Sequence, residues 1–207
     1  LVDDFVYVVG GNNMKRSTNS FYRLNLKSKQ NWEKLKDFPG VPRSFHCVSV
    51  QETSTHKKLF VIGGRNELTG QKSETLTNYL SYDFKEQTWK DEGDLSVDGK
   101  VKVLMGASAE TMGSMHIMVY GGSDEVLFDE LETISIELGA SKNDSIINAL
   151  KNRRDAILNN HAGFSKEILA YNTITKKWFV YDTLSEKIPV TALSFKYKDD
   201  FVMVSGE

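Results

Sequence analysis

At 207 residues, with 40% apolar and 26% charged side chains, the chain is long enough to bury a core and falls in the range of one or two globular domains. Its formal charge of −2, with lysines, arginines and acids interspersed, offers no basic stripe that would track phosphates, which argues against nucleic acid as a partner. No apolar run nears the roughly 20 residues needed to cross a bilayer, and the first residues, LVDDFVYVVGG, show neither a charged n-region nor a cleavage site, so no membrane association is expected and no signal peptide is visible.

In chain order, the first element is a short apolar run ended by paired glycines, Phe5 to Gly11, followed by a strand bearing Tyr22 and then by Trp32. The second unit begins with the alternating run SFHCVSV. Its Cys47 is expected to be a buried, small apolar side chain. The unit continues through LFVIGG at Leu59 to Gly64, a strand bearing Tyr82, and Trp89. Its four β-rich runs, SFHCVSV, KLFVIGG, NYLSYDF and TWKDEG, predict a four-stranded antiparallel sheet. A third glycine-ended run, HIMVYGG, closes at Gly122, and Tyr171 and Trp178 follow it only after a long gap. The last run, FVMVSGE, carries serine in place of the first glycine and ends at Glu207.

Gly10 to Gly63 spans 53 residues and Gly63 to Gly121 spans 58, close to the period of about 50 of kelch arrays. The next interval, to Ser205, is 84 residues, so an insertion lies in the third unit, over residues 124–166. Within it, Asp144 to Asn160 places Ile146, Ile147, Leu150, Ile157 and Leu158 near helical spacing, with Asp144 or Ser145 as N-cap. The fold class expected is all-β, a kelch-type β-propeller with one helical insertion. Stacked blades would bury faces that no single blade can cover, and Trp32, Trp89 and Trp178 are expected between them. The chain supplies about three and a half blades over residues 1–207. Closed propellers have four to eight, so the ring should stay open unless a longer chain or a second copy completes it.

The stretch NWEKLKDFPGVPRSFHCVSV followed by LFVIGG resembles the kelch family of cyclically permuted mutarotases, in particular its N-acetylneuraminate (sialic acid) epimerases. The insertion, the segment LAYNTITKKWFVY and the terminal Gly-Glu continue the likeness in the same order over essentially the whole chain. The resemblance implies the first half, or slightly more, of a six-bladed enzyme that interconverts sugar anomers, periplasmic or secreted, with a small anionic sugar as substrate and no cofactor.

The loops after the glycine-ended strands, carrying Asn12, Arg65, Ser123 and Glu207, and the connection carrying Arg43 should share one rim of the channel, where concave ligand sites form. A planar arginine fork suits a sugar carboxylate. Arg43 is the first candidate for that role and Arg65 the second, the alternative for Arg43 being a structural pairing with a neighbouring blade. The resemblance makes Glu207 the catalytic acid/base and implies a partner arginine beyond residue 207; read without it, Glu207 is a solvated strand end. Arg153 and Arg154 of the inserted helix could add positive potential over an anion or belong to a solvated helix face. His46, His56, His116 and His161 show no metal-ligand spacing, and there is neither a Cys pair nor a phosphate-cradling glycine loop, so no metal or nucleotide is expected. Nothing marks the tyrosine and histidine set of a copper-radical oxidase. The rival function is a non-catalytic kelch module that binds protein or glycan on the same rim.

Overall fold

The structure is a computed structural model describing residues 1–28, 31–160 and 163–204; Glu207, proposed above as acid/base, lies outside the described residues, as does His161. A first sheet has β1 (Phe5–Val9), β2 (Phe21–Asn25) and β3 (Glu33–Lys34) in that order. The second unit contains β4 (Cys47–Glu52), β5 (Lys57–Ile62), the two-residue strands β6 (Arg65–Asn66) and β7 (Glu74–Thr75), then β8 (Asn78–Asp83) and β9 (Thr88–Asp94). Its main sheet is the antiparallel meander β4-β5-β8-β9, built from the four runs picked out in the sequence. A small ribbon of β10 (Ser96–Val97) and β11 (Lys100–Val101) leads to the third unit. There β12 (Ser108–Met112) and β13 (His116–Tyr120) are followed by α1 (Glu125–Ala140) and α2 (Asp144–Asn160), and then by β14 (Glu167–Asn172) and β15 (Lys177–Thr183). The sheet order is β12-β13-β14-β15, and β16 (Leu193–Tyr197) with β17 (Asp200–Val204) begins a fourth sheet. The fold is all-β with a helical insertion. Among the described residues no pairing joins β1 to β17, so the sheets do not close a ring.

Period-two alternation with both faces buried explains why the glycine-ended runs are apolar throughout. Leu59 and Val61 of β5 face the first unit in a cluster with Val9, Phe21, Phe38 and Tyr82, while Phe60 and Ile62 face the third in a cluster with Tyr171 and Trp178. In β13 the pattern repeats: Ile117 and Val119 join the cluster facing the second unit, and Met118 and Tyr120 face the fourth. A glycine pair ends each run because the chain there passes against the next unit. Gly63 sits at φ +64°, and a Cβ on it would lie 2.4 Å from the carbonyl oxygen of Leu104. A Cβ on Gly10 would meet the His46 ring at 2.7 Å and the Arg43 carbonyl at 2.8 Å.

Three sequence expectations need correction. Trp178 is buried, but Trp89 is only half-buried and Trp32 is 47% exposed. Tyr82 pairs across the sheet with Trp89, and Tyr171 with Trp178, whereas Tyr22 pairs with Lys34. Leu24, opposite Val6, holds the place of Tyr82 opposite Leu59 and of Tyr171 opposite Ile117. Trp89 and Trp178 each pack on the unit before their own, and the first sheet has no preceding unit among the described residues. Second, the insertion holds two helices. The sequence reading passed over α1, although Leu127, Leu131, Ile134 and Leu138 stand at helical spacing along it; of these only Ile134 is buried and the others are half-buried. Third, α2 is capped by Asn143, whose Oδ1 accepts from the N–H groups of Ser145 and Ile146, and not by Asp144 or Ser145.

Candidate functional site

The rim is built where each glycine pair meets the connection into the next unit. The Gly11 N–H donates to the Arg43 carbonyl at 2.9 Å and the Gly64 N–H to the Leu104 carbonyl at 2.8 Å. Isolated bridges join Ser44 to Arg65 and Met105 to Ser123. Asn12, Arg43, Arg65 and Ser123 therefore do lie along one edge of the molecule.

Arg43 is 1% exposed. Its Nη1 donates to the carbonyls of Gly63 at 3.1 Å and Asn78 at 3.3 Å, and its Nη2 to Asn78 Oδ1 at 2.9 Å; Asn78 Nδ2 in turn donates to Asp91 at 2.8 Å. The guanidinium also lies over the Phe38 ring, 5.8 Å from its centroid. Burial lowers its pKa to about 10, countered in part by the charge of Asp91. In this structure the fork ties the FPGVPR segment to the inner-strand end of the second unit.

Arg65 is held differently. It is 6% exposed, its Nη2 donating to Glu132 Oε1 at 2.6 Å and to Ser73 Oγ at 2.8 Å, with Glu67 Oε1 at 3.6 Å. The rings of Phe45 and Phe128 lie 5.9 and 5.3 Å from the guanidinium carbon and 6.1 Å from each other. Glu67 is the hub of the neighbouring network: its Oε2 accepts from Asn12 Nδ2 at 2.7 Å and from Ser44 Oγ at 2.6 Å, and its N–H donates to Ser17 Oγ at 2.8 Å. Ser123 Oγ donates to the carbonyl of Asp124.

His46 stands beside Arg43, its Nε2 3.1 Å from the Val9 carbonyl and its Nδ1 buried without a hydrogen-bond partner. Burial, and then the Arg43 charge, lowers its pKa to about 4, so the ring is neutral at pH 7. The thiol of Cys47 donates weakly to the Ile62 carbonyl, and burial pushes it up to about 12, which suits an inert small side chain. Arg153 pairs with Glu130 and Arg154 with Asp155, so both belong to a solvated helix face.

Two cavities open on this edge. One of about 520 Å³ is lined by Lys102, Leu104, Gly121 to Leu127, Ser165, Glu167 and Lys187. The other, of about 250 Å³, lies between the loops carrying Asn12 and Glu67 and the residues Glu132, Ser135 and Ile136 of α1. Sequence reasoning missed Glu67, Ser73, Phe128 and Glu132. Glu67 carried a signal, two residues beyond Arg65 in a post-glycine loop; for Glu132 the helix itself was legible in the spacing of Leu127, Leu131, Ile134 and Leu138, but its contact with Arg65 was not.

Comparison with known proteins places this geometry. A family profile for N-acetylneuraminate epimerase matches residues 1–207. The N-acetylneuraminate epimerase of Yersinia enterocolitica serotype O:8 is 25% identical over 216 residues, covering 100% of this chain and 50% of that protein. The enzyme of that name from Pasteurella multocida is 26% identical over 182 residues, covering 86% of this chain and 43% of its own length. The chain thus spans about half the length of the curated relatives it matches. Among solved structures, one titled "Structure of YjhT" superposes with a TM-score of 0.74 at 18% identity, covering 100% of this chain and 55% of the other, a likeness that shows a propeller-type fold. With the profile matched from the first residue to the last, the chain belongs to the N-acetylneuraminate epimerase family.

Proposed function

We propose that this chain forms about half of a six-bladed kelch propeller, completed by further blades, that interconverts the anomers of a sialic acid by acid/base-assisted ring opening, in the periplasm or outside the cell. The observation that carries the proposal is the family match along all 207 residues, which includes the terminal Ser-Gly-Glu. In the repeat, Glu207 follows its Ser-Gly pair as Asn12, Arg65 and Ser123 follow theirs, and all three of those reach the rim.

Anomer exchange needs one proton removed from the anomeric hydroxyl and one supplied to the ring oxygen, so that the ring opens and recloses from the other face. An ordinary glutamate titrates near about 4.3 and is ionised at neutral pH, so Glu207 acts first as base and then returns the proton as acid. An arginine holding the substrate carboxylate keeps the reacting atoms in line. Arg43 and Arg65 are the buried arginines of this half of the rim. With Arg43 engaged on backbone carbonyls, Arg65, whose partner is a side-chain carboxylate, is the better placed of the two to exchange its partner for a ligand.

The test uses the intact protein. The α-anomer of N-acetylneuraminate, released by a sialidase, is followed to the β-anomer by proton NMR. Glu207→Gln is expected to slow the enzyme-catalysed part on the order of 100-fold or more, the usual scale of general acid/base catalysis. A folded Glu207→Gln variant within about twofold of wild type would overturn the catalytic assignment. Wild type no faster than buffer would overturn the enzyme and leave a binding module.

A further inference from the structure

The helical insertion leaves and rejoins the body at nearly one point. α1 starts after Asp124, its N-cap, and the returning chain is tied by the Ser165 N–H to the Gly122 carbonyl at 3.2 Å. From that stem in the third unit, α1 reaches across to the second. Glu132 accepts from Arg65 Nη2 at 2.6 Å, from Ser73 Oγ at 2.5 Å and from the Ser73 N–H at 2.7 Å. The Phe128 ring lies against the guanidinium, its centroid 5.3 Å from the guanidinium carbon and 6.1 Å from the Phe45 ring. Beyond Ile134, α1 buries no side chain fully. Its remaining ion pair to the body, Lys72 with Asp129, is exposed on the lysine side. Beneath it lies the 250 Å³ cavity with Asn12, Glu67 and Thr69 on its floor.

We infer that α1 and α2 form a lid over the rim, latched by Glu132 on Arg65, and that Glu132 holds the place a ligand carboxylate would take. Two features point this way. The polar attachment to the second unit is one part-buried, charge-assisted cluster, and along the apolar stripe of Leu127, Leu131, Ile134 and Leu138 only Ile134 is buried, the others being half-buried, so the contact with the second unit can open as a whole. The cluster is also a guanidinium–carboxylate pair, the same chemistry an anionic sugar brings, so ligand and lid compete for one arginine. The competing ligand rests on the function proposed above; the latch itself does not.

Hydrogen exchange of the 125–140 segment in the intact protein decides the latch without any ligand. Glu132→Gln, isosteric but uncharged, should speed that exchange on the order of tenfold or more while leaving β5 and β13 protected. Lys72→Ala, which removes only the exposed pair, should change it less than about twofold. Exchange in Glu132→Gln within about twofold of wild type overturns the latch, as does an equal response to Lys72→Ala. Ser73→Ala, which removes one hydroxyl and leaves both charges, supplies an intermediate effect and serves if Glu132→Gln does not fold. The competition is read separately by titrating N-acetylneuraminate. In Glu132→Gln its apparent affinity should rise severalfold, because the lid no longer opposes binding. Unchanged or weaker binding would make Glu132 a positioning residue and overturn the competition. A wild type that binds no sialic acid would sink the proposed substrate, with the exchange result still deciding the latch.

Discussion

Arg43 and Arg65 lie on the same rim, both are almost wholly buried, and they keep their charges by opposite means. Arg43 is held chiefly by main chain: two carbonyls that cannot move without moving the strands of the second unit, with the side-chain amide oxygen of Asn78 as the third partner. Arg65 is held by side chains, and the one that neutralises it belongs to an inserted helix. A cation bonded to carbonyls is part of the scaffold. A cation bonded to a carboxylate on a tethered element can change partner.

The sharpest way to break that contrast is to remove each arginine. Arg43→Ala takes the donor from the Gly63 carbonyl and from Asn78 Oδ1 in the interior, while the Asn78 carbonyl keeps the Gly63 N–H, and the expected loss of global stability is about 3–5 kcal/mol, the scale for breaking a buried charged network. Arg65→Ala should cost about 1–2 kcal/mol globally, with most of its effect appearing as faster exchange in α1. Denaturant unfolding followed alongside hydrogen exchange separates the two. Equal global losses would mean that the insertion is as much a part of the scaffold as the strands.

Gly63 joins the two regions, since its carbonyl accepts from Arg43 and the next residue but one is Arg65. At φ +64°, with Leu104 O 2.4 Å from any added Cβ, Gly63→Ala must push one unit off the next and should cost about 3 kcal/mol, read as a drop in the denaturant midpoint. Gly70, also at positive φ but with open space around it, should lose only about 1 kcal/mol on the same change.

These glycines show what the sequence made legible. A crowded inner-strand end tolerates no Cβ, so the pairs at Gly10, Gly63 and Gly121 announced the repeat directly, and the doubly buried runs between units followed from it. Trp32 was misread because the order of residue types was taken for register. Tyr82 and Tyr171 precede their tryptophans by seven residues and Tyr22 precedes Trp32 by ten, a difference already present in the chain. The partner of Arg65 was not legible at all. Glu132 reaches it across 67 residues from a helix whose only fully buried side chain is Ile134, and local pattern does not encode such a contact.

On the Arg43 side, His46 gives a pH signature. Its folded pKa of about 4 lies below the ordinary value near about 6.5, so between those limits the unfolded chain binds the extra proton. The neutral ring therefore contributes stability that is fully present above about pH 6.5 and lost as pH falls toward about 4, by at most about 3 kcal/mol. Replacing the ring with a non-titrating one, His46→Phe, should flatten this part of the melting-temperature profile between pH 7 and pH 4.5. An unchanged slope would assign the acid sensitivity to other groups.

The smallest effect is expected on the Arg65 side, at Phe45. This residue sits at φ +55°, the left-handed region, where its counterparts around the rim, Gly106 and Thr191, have φ of +64° and +55°. The three are linked in series, the Gly106 N–H donating to the Phe45 carbonyl and the Thr191 N–H to the Gly106 carbonyl, so the backbone conformation is imposed by the stacking of units. A side chain there carries a strain of about 1 kcal/mol that glycine would relieve. Phe45 is also 38% exposed, so its ring contributes little core burial; what it touches is the Arg65 guanidinium and the Phe128 ring. In Phe45→Gly the relieved strain offsets the lost cation–π and ring contacts, each worth roughly 0.5–1 kcal/mol, and global stability should stay within about 1 kcal/mol of wild type. Phe45→Ala keeps the strain and loses the ring, so it should be the less stable of the two by about 1 kcal/mol. Both should loosen α1 measurably, because both remove one wall of the Arg65 clamp. If Phe45→Gly leaves α1 exchange unchanged, the aromatic walls are incidental and Glu132 with Ser73 holds the lid alone; if it unfolds the rim, Phe45 belongs with Arg43 to the scaffold.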